Sequence, residues 1–261
     1  MDELKTQLDD LNTLAEKIYQ YTESGRVRLT RRRLLLLQKL LYIDTNANAV
    51  ARLLMDEPHY PDGAAMILRS MYDLGVNVDW VLQSRKNDRL WRWLRDDRKT
   101  LHDRLKSIVD LKTSDPALNS IGDPLSTWQS ALDKVSKDLD RTAKNAGVSA
   151  VAREESLFNK VKTVSKKSQL VYHTMFWWFS TKTHATPTGL QDLVTLNPIV
   201  LKRRTHQATE KNESEATMLM RTALLWYAAH IHQTARYLKT PFVDDARVLY
   251  EIHITRKTPY H

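Results

Sequence analysis

The stretch AAMILRSMYDLGVNVDWVLQS, residues 64–84, decides the fold of this chain. Its apolar residues occur on most sides of a helix instead of along one stripe, which is typical of a helix at the centre of a fold. Asp62 comes just before it, where a carboxylate can accept hydrogen bonds from the free backbone N–H groups of the first turn. The sequence therefore predicts a central helix that begins near Asp62.

The rest of the chain is also predicted to be helical. Only six glycines and eight prolines occur in 261 residues, whereas all-β and doubly wound α/β folds need many tight turns that these residues form. No segment shows the alternation that is typical of a strand. Further helices are predicted at 2–22, from the arginines at 26–33 to Met55, at about 86–112 and 125–146, from Asn212 or Ser214 to about Leu238, and at 243–254. The prediction is an all-α, multi-helix bundle of about eight to ten helices without a sheet.

We predict a single helical domain over residues 1–261, with an irregular connection near 114–124 and a polar, lysine-rich segment near 147–168. Apolar residues from Leu125 to Leu139 follow a heptad-like pattern, which indicates packing against a partner helix. Together with the aromatic run at 176–179, this pattern makes a homodimer a reasonable expectation.

Composition and motifs exclude several kinds of site. The chain has no cysteine, so thiolate metal sites and cysteine nucleophiles are excluded. Its glycines are isolated, which argues against phosphate-binding loops, and the H-E-x-x-H motif is missing. We therefore predict no cofactor and no metal. The purely apolar runs of the chain, such as Leu34–Leu37, are far too short to cross a bilayer, so we predict a soluble, cytoplasmic protein without a membrane partner.

The positive charge predicts an anionic partner. The formal net charge is +9, and a basic balance of this kind is typical of proteins that bind nucleic acid. Five arginines at 26–33 lie near a predicted helix N-terminus, where the helix dipole disfavours cations, so local helix stability does not explain them. The predicted nucleic-acid-binding residues are Arg26, Arg28, Arg31, Arg32, Arg33, Arg85, Arg89, Arg92 and Lys99.

One catalytic spacing occurs several times in the chain. HEPN-type toxin and defence ribonucleases carry an arginine and a later histidine with four to six residues between them. Matches of this spacing arise readily by chance in a chain with many arginines and nine histidines, so we interpret them as coincidences on helix faces. The pairs are Arg52/His59, Arg95/His102, Arg247/His253 and Arg256/His261.

Two segments, MILRSMYDLGVNVDWVL at 66–82 and YHTMFWWFSTKTHATPTGL at 172–190, are similar to a bacterial family of helical proteins of unknown function. Members pair an R-x-x-x-[ED] helix with a later Y-x7-S-x3-H segment. Asp73 stands where the family commonly has Glu, a change that keeps the charge. The resemblance marks Arg69, Asp73, Tyr172, Ser180 and His184.

The same residues are notable from their spacing alone. Arg69 and Asp73 are four residues apart in an apolar helix, so they are neighbours on one face. Tyr172, Ser180 and His184 are separated by multiples of four, which would align them along one side of a second helix. If the two helices pack, five polar groups form one cluster.

Two functions follow from this cluster and the basic residues. The first is a nucleic-acid-associated toxin or defence effector that cleaves RNA without metal, with His184 as acid or base, Arg69 as anion holder and Tyr172 or Ser180 as a positioning donor. The second is a non-catalytic subunit that binds nucleic acid or protein, in which the cluster is a structural network. The expected partner is nucleic acid, RNA more than DNA, with a homodimer or larger defence complex as a further expectation. Whether the protein is an enzyme stays open at the level of sequence.

Overall fold

A computed structural model of the chain describes residues 1–55, 60–176, 179–180, 194–195, 202–203 and 210–255, with backbone only at 194–195, 202–203 and 210–213. These residues form nine α-helices. Their bounds are α1 Asp2–Tyr21, α2 Arg31–Met55, α3 Pro61–Gln83, α4 Asp88–Ser114, α5 Leu125–Ala146, α6 Leu157–Val164, α7 Lys166–Val171, α8 Glu210–Leu238 and α9 Val243–Thr255.

The all-α prediction is confirmed. The one extended pairing among the described residues is a minimal antiparallel pair, β1 Val194–Thr195 with β2 Lys202–Arg203. Short helical turns of other geometry occur at Thr22–Arg26, Pro116–Ser120 and Tyr172–Phe176. None of the described helices combines the length and the apolar character needed to cross a membrane.

The chain divides into two compact units, Met1–Val78 with Gln169–His261, and Asp79–Ser168. In the first unit, α8 packs against α1, α2 and α9. The core contains Leu11, Ile18, Leu40, Ile43, Leu68, Met71 and Tyr227. Burial of such aliphatic and aromatic side chains is the dominant stabilising contribution in a helical fold. The prediction of one domain over the whole chain is not tested by this division.

The central-helix prediction agrees with the burial along α3, but its start differs. Pro61 occupies the first helical position, so Asp62 lies within the first turn and does not cap the helix. Proline suits this position because its fixed φ is helical and its missing N–H has no partner there. Ala65, Leu68 and Met71 are fully buried on this helix.

The first arginine cluster begins ahead of α2. Gly25, with φ of 76°, ends the turn after α1 in a left-handed conformation that glycine adopts without strain. Arg26 and Arg28 therefore precede α2, whereas Arg31, Arg32 and Arg33 lie in its first turn. The prediction that all five open the helix is correct only for the last three.

The second unit is built on an α4–α5 helix pair. The predicted irregular connection between them is present, since the Lys112 ammonium donates to the carbonyls of Leu118 at 2.8 Å and Ile121 at 2.7 Å. The heptad-like face of α5 packs against α4, with Leu139 buried. The partner helix thus comes from the same chain, and this face no longer favours a homodimer.

Candidate functional site

The candidate site is centred on an Arg–Asp pair of α3. Arg69 Nε lies 4.0 Å from Asp73 Oδ2, and the two side chains are 20% and 37% exposed. The four-residue spacing places both on one helix face, as predicted. Because the pair is long and partly exposed, it differs from the closed salt bridge of a buried core.

Aromatic rings line the pair. The Arg69 guanidinium carbon lies 4.9 Å from the centroid of Phe176, within the range of a cation–π interaction. Tyr72 contacts Phe176 and Trp226, with centroids 5.6 and 5.7 Å apart. Tyr172 stacks on Phe176 with centroids 4.8 Å apart and an interplanar angle of 15°. Three elements, α3, the turn Tyr172–Phe176 and α8, therefore meet around Tyr72, and the turn also contacts Arg69.

The two oxygens of Asp73 have different surroundings. Oδ1 is buried and has no hydrogen-bond partner among the described residues, whereas Oδ2 faces Arg69. Burial raises the pKa of Asp73 to about 6, and the Arg69 charge only partly opposes this. A carboxyl with this pKa exchanges protons near neutral pH, which suits a general acid or base.

Tyr72 belongs to the same electrostatic environment. Burial is the main cause that raises the pKa of its phenol, and the Asp73 carboxylate and Tyr172 raise it further. Both of these groups therefore lie near the Tyr72 phenol. Tyr72 therefore stays a neutral hydrogen-bonding phenol at physiological pH.

The second predicted segment is only partly described. Tyr172 begins a π-helical turn and does not lie in a regular α-helix. Such turns are frequent at functional sites. Ser180 Oγ is buried without a hydrogen-bond partner in the described part of the chain. His184 lies outside the described residues. Of the five predicted site residues, the structure brings Arg69, Asp73 and Tyr172 together in one cluster.

The predicted nucleic-acid-binding residues fall into two groups. In the first unit, Arg26, Arg28 and Arg31 are exposed, and Arg32 and Arg33 are partly buried. Arg33 Nη1 donates to the Arg28 carbonyl at 2.8 Å, which ties the two parts of the cluster together. This group presents several cations on one short segment and fits an anionic partner.

The second group is less uniform than the sequence predicted. Arg85 precedes α4, which begins at Asp88. Arg89 donates to the Trp80 carbonyl at 2.9 Å and lies over the Trp80 ring, and Lys99 forms an ion pair with Asp103 at 2.8 Å. Arg92 is exposed. Arg89 and Lys99 therefore have structural contacts of their own.

The two arginine–histidine pairs that the structure describes in full, Arg95/His102 and Arg247/His253, do not form a recognisable site. The buried Arg95 guanidinium pairs with Asp96 and donates to the Ala152 carbonyl, whereas His102 contacts Asp103. Arg247 pairs with Asp244 at 3.1 Å. His59, Arg256 and His261 lie outside the described residues. Across the described ranges, no group of three acidic or histidine side chains could hold a metal ion.

Sequence reasoning missed three residues of the cluster. Tyr72, Phe176 and Trp226 read as ordinary core residues, because apolar aromatic side chains are more often buried for packing than for function. The four-residue separation of Tyr172 and Phe176 is a signal that could have found their contact. No sequence spacing indicates that Trp226 on α8 lies near Tyr172 or Phe176.

The fold and the site define an all-α protein with an open Arg–Asp pair bordered by aromatic rings. The chain belongs to a family of unknown function (DUF5677), whose model matches residues 37–198. This range contains Arg69, Asp73, Tyr172, Ser180 and His184, in agreement with the family resemblance. A likeness to HEPN ribonucleases is not supported. No curated protein and no solved structure matches the chain.

Proposed function

We propose that this protein associates with nucleic acid and cleaves RNA, without a metal, at the cluster of Arg69, Asp73 and Tyr172. The observation that carries the proposal is the solvent-open Arg69–Asp73 pair, in which one carboxylate oxygen is buried and unsatisfied within the described structure. A cation beside a carboxyl that titrates near neutral pH can hold a phosphate and move a proton.

The chemistry assigns one role to each group. Arg69 holds the scissile phosphate, and the Asp73 carboxylate takes the proton of the adjacent ribose 2′-hydroxyl. The 2′-oxygen then attacks phosphorus and the 5′-oxygen leaves with a proton donated by His184, which gives a 2′,3′-cyclic phosphate and a free 5′-hydroxyl. Tyr172 and Ser180 position the nucleotide, since a tyrosine ring stacks on a base.

The exposed arginines account for capture of the RNA chain. Arg26, Arg28 and Arg31 offer cations to successive phosphates without base specificity. Arg92 offers a further cation in the second unit. A cytoplasmic toxin or defence role is consistent with such an activity and is part of the proposal.

A second candidate is a non-catalytic subunit that binds nucleic acid or protein. Its support is the contact of Tyr72 with both Phe176 and Trp226, because this contact holds three elements together and gives the cluster a structural role. In that case Arg69 orders the packing of the turn Tyr172–Phe176 and takes no part in chemistry.

Incubation of single-stranded RNA with Arg69→Ala, with His184→Ala and with the unaltered protein, in excess EDTA, separates the candidates. We expect cleavage to a cyclic phosphate by the unaltered protein and strong loss in both variants with little loss of folding. Arg52→Ala, an exposed arginine of α2, is the matched control and should cleave normally. Unfolding of Arg69→Ala, combined with no cleavage by any protein, would favour the structural subunit.

A further inference from the structure

A cleft in the second unit lies between one turn of α4 and the segment after α5. Arg92, Arg95 and Asp96 share a face of α4 because they are three and four residues apart. Gly147, with φ of 65°, ends α5 and turns the chain towards that face. The cavity volume of the cleft is about 80 Å³, which has room for a small polar group and is below the roughly 300–1,000 Å³ of sites that enclose a whole small ligand. The opposite wall consists of Val148, Ala152, Arg153 and Glu155.

Two buried side chains form the base of this cleft. Arg95 and Asp96 are 3% and 2% exposed and form an ion pair. Arg95 Nη1 also donates to the Ala152 carbonyl at 2.8 Å, which fixes the opposite wall. Within the described residues, Arg95 Nε and Asp96 Oδ2 have no hydrogen-bond partner. A buried donor and acceptor left unsatisfied are costly, so the pair suits a ligand group that both accepts and donates.

The mouth of the cleft is positively charged. Arg92 and Arg153 are exposed, and neither forms an ion pair with any described residue. Arg95 and Asp96 neutralise each other, and so do Glu154 and Lys160, whose charges also act on Arg95. The two arginines and the Glu155 carboxylate therefore leave an excess of one positive charge. This balance favours an anionic ligand.

We propose that this cleft binds a phosphate with a neighbouring ribose hydroxyl, as presented by RNA, with the phosphate on Arg92 and Arg153 and the 2′-hydroxyl between Arg95 and Asp96. A hydroxyl both donates and accepts hydrogen bonds, so it satisfies Asp96 Oδ2 and Arg95 Nε together. DNA lacks this group, and the cleft therefore selects RNA over DNA. The inference rests on the proposed association with nucleic acid and adds a selective site in the second unit.

The test measures binding of the full chain to three labelled single strands of one sequence, namely RNA, DNA and 2′-O-methyl RNA, by fluorescence anisotropy. The intactness of the RNA is checked on a gel after each titration. We expect RNA to bind about ten-fold more tightly than the other two strands, as the loss of one hydrogen bond to a charged group predicts. The 2′-O-methyl strand needs no protein variant, so this arm does not depend on how a variant folds.

Protein variants locate the preference. Asp96→Asn should reduce the preference for RNA over DNA, and Arg92→Ala with Arg153→Ala should weaken the binding of both strands. The double variant Arg98→Ala with Arg104→Ala removes two cations from α4, the helix that carries Arg92. It is the charge-matched control, and we expect it to lose less affinity. If Asp96→Asn does not fold, the two double arginine variants still test the site. Equal losses of nucleic-acid affinity in both double variants would overturn it.

The outcomes distinguish the two proposals. Equal binding of all three strands would overturn the hydroxyl site and leave nucleic-acid association intact, whereas no binding of any strand would overturn the association itself. An RNA preference that persists unchanged in folded Asp96→Asn would place the preference elsewhere and overturn the site. Competition by free ribonucleoside monophosphates should fail at concentrations where unlabelled RNA competes, and efficient competition would contradict an RNA-chain ligand.

Discussion

The Arg69 guanidinium carbon lies 4.9 Å from the centroid of the Phe176 ring, so a residue of the central helix is held by a turn more than a hundred positions later in the chain. This contact orients the cation beside Asp73, its neighbour on α3. It connects the packing of the first unit with the chemistry proposed for the site.

Phe176→Leu should reduce RNA cleavage while the charge of Arg69 is kept. Leucine fills much of the space but offers no π face, and a partly exposed cation–π contact stabilises by about 0.5 to 1 kcal/mol. Arg69 then samples other rotamers and holds phosphate less well. The initial cleavage rate and the unfolding free energy are the measurements.

Phe158→Leu is the matched control, because Lys162 Nζ lies 4.3 Å from the Phe158 centroid in the second unit. It should lose similar stability and retain cleavage. Equal loss of cleavage in both variants would show that the Phe176 contact acts only through folding.

Asp73→Asn should stabilise the protein at neutral pH and not at about pH 4. The folded-state pKa of Asp73 is about 6, above the ordinary value of 3.8, so the folded state binds this proton more tightly. Stability from this group is therefore lost as pH rises from about 4 through about 6. The gain above that range is about 1 kcal/mol, discounted for the exposure of the side chain.

Denaturant unfolding at several pH values measures this effect. Asp10→Asn on α1, an exposed carboxyl, is the control and should show no comparable gain. A stability difference between Asp73→Asn and the unaltered protein that is the same at all pH values would contradict the raised pKa.

Combined replacement of Arg26, Arg28 and Arg31 by alanine should weaken nucleic-acid binding and its salt dependence. For single strands the slope of log affinity against log salt changes by about 0.7 per phosphate contact, so three lost contacts reduce it by about 2. Lys134, Lys137 and Arg141, exposed on α5, form a control of equal charge. Equal slope changes in both triple variants would indicate a diffuse charge effect.

Leu139→Ala should destabilise the protein by about 2 to 4 kcal/mol, because it opens a cavity between α4 and α5. Leu139 is 6% exposed on the face that packs against α4. Since this face is covered within the chain, the variant should not change the oligomeric state. A stability loss accompanied by dissociation of a dimer in light scattering would contradict the intrachain pairing.

Local rules predicted much of this structure. Four-residue spacing placed Arg69 beside Asp73, and heptad spacing predicted a partner for the face around Leu139. These patterns depend on helix geometry alone. The end of α4 was also predictable from a local signal, because Pro116 after Asp115 cannot continue a helix.

What the sequence did not predict depends on tertiary contacts. The π-helical turn at Tyr172 stands where the four-residue spacing assumed a regular α-helix, and no periodicity indicates it. Arg89 reads as a surface cation, yet its guanidinium lies over Trp80 because the chain bends before α4. The unsatisfied oxygen of Asp73 likewise follows from how α3 is covered by other elements.

The most direct test of the central claim is the initial rate of single-stranded RNA cleavage in excess EDTA by the unaltered protein and by Asp73→Asn. The substitution keeps the shape of the side chain and removes its proton transfer. We expect cleavage by the unaltered protein and a rate about a hundred-fold lower in the variant, the typical contribution of a general acid or base. Equal rates, or no cleavage by a protein that binds RNA, would contradict it.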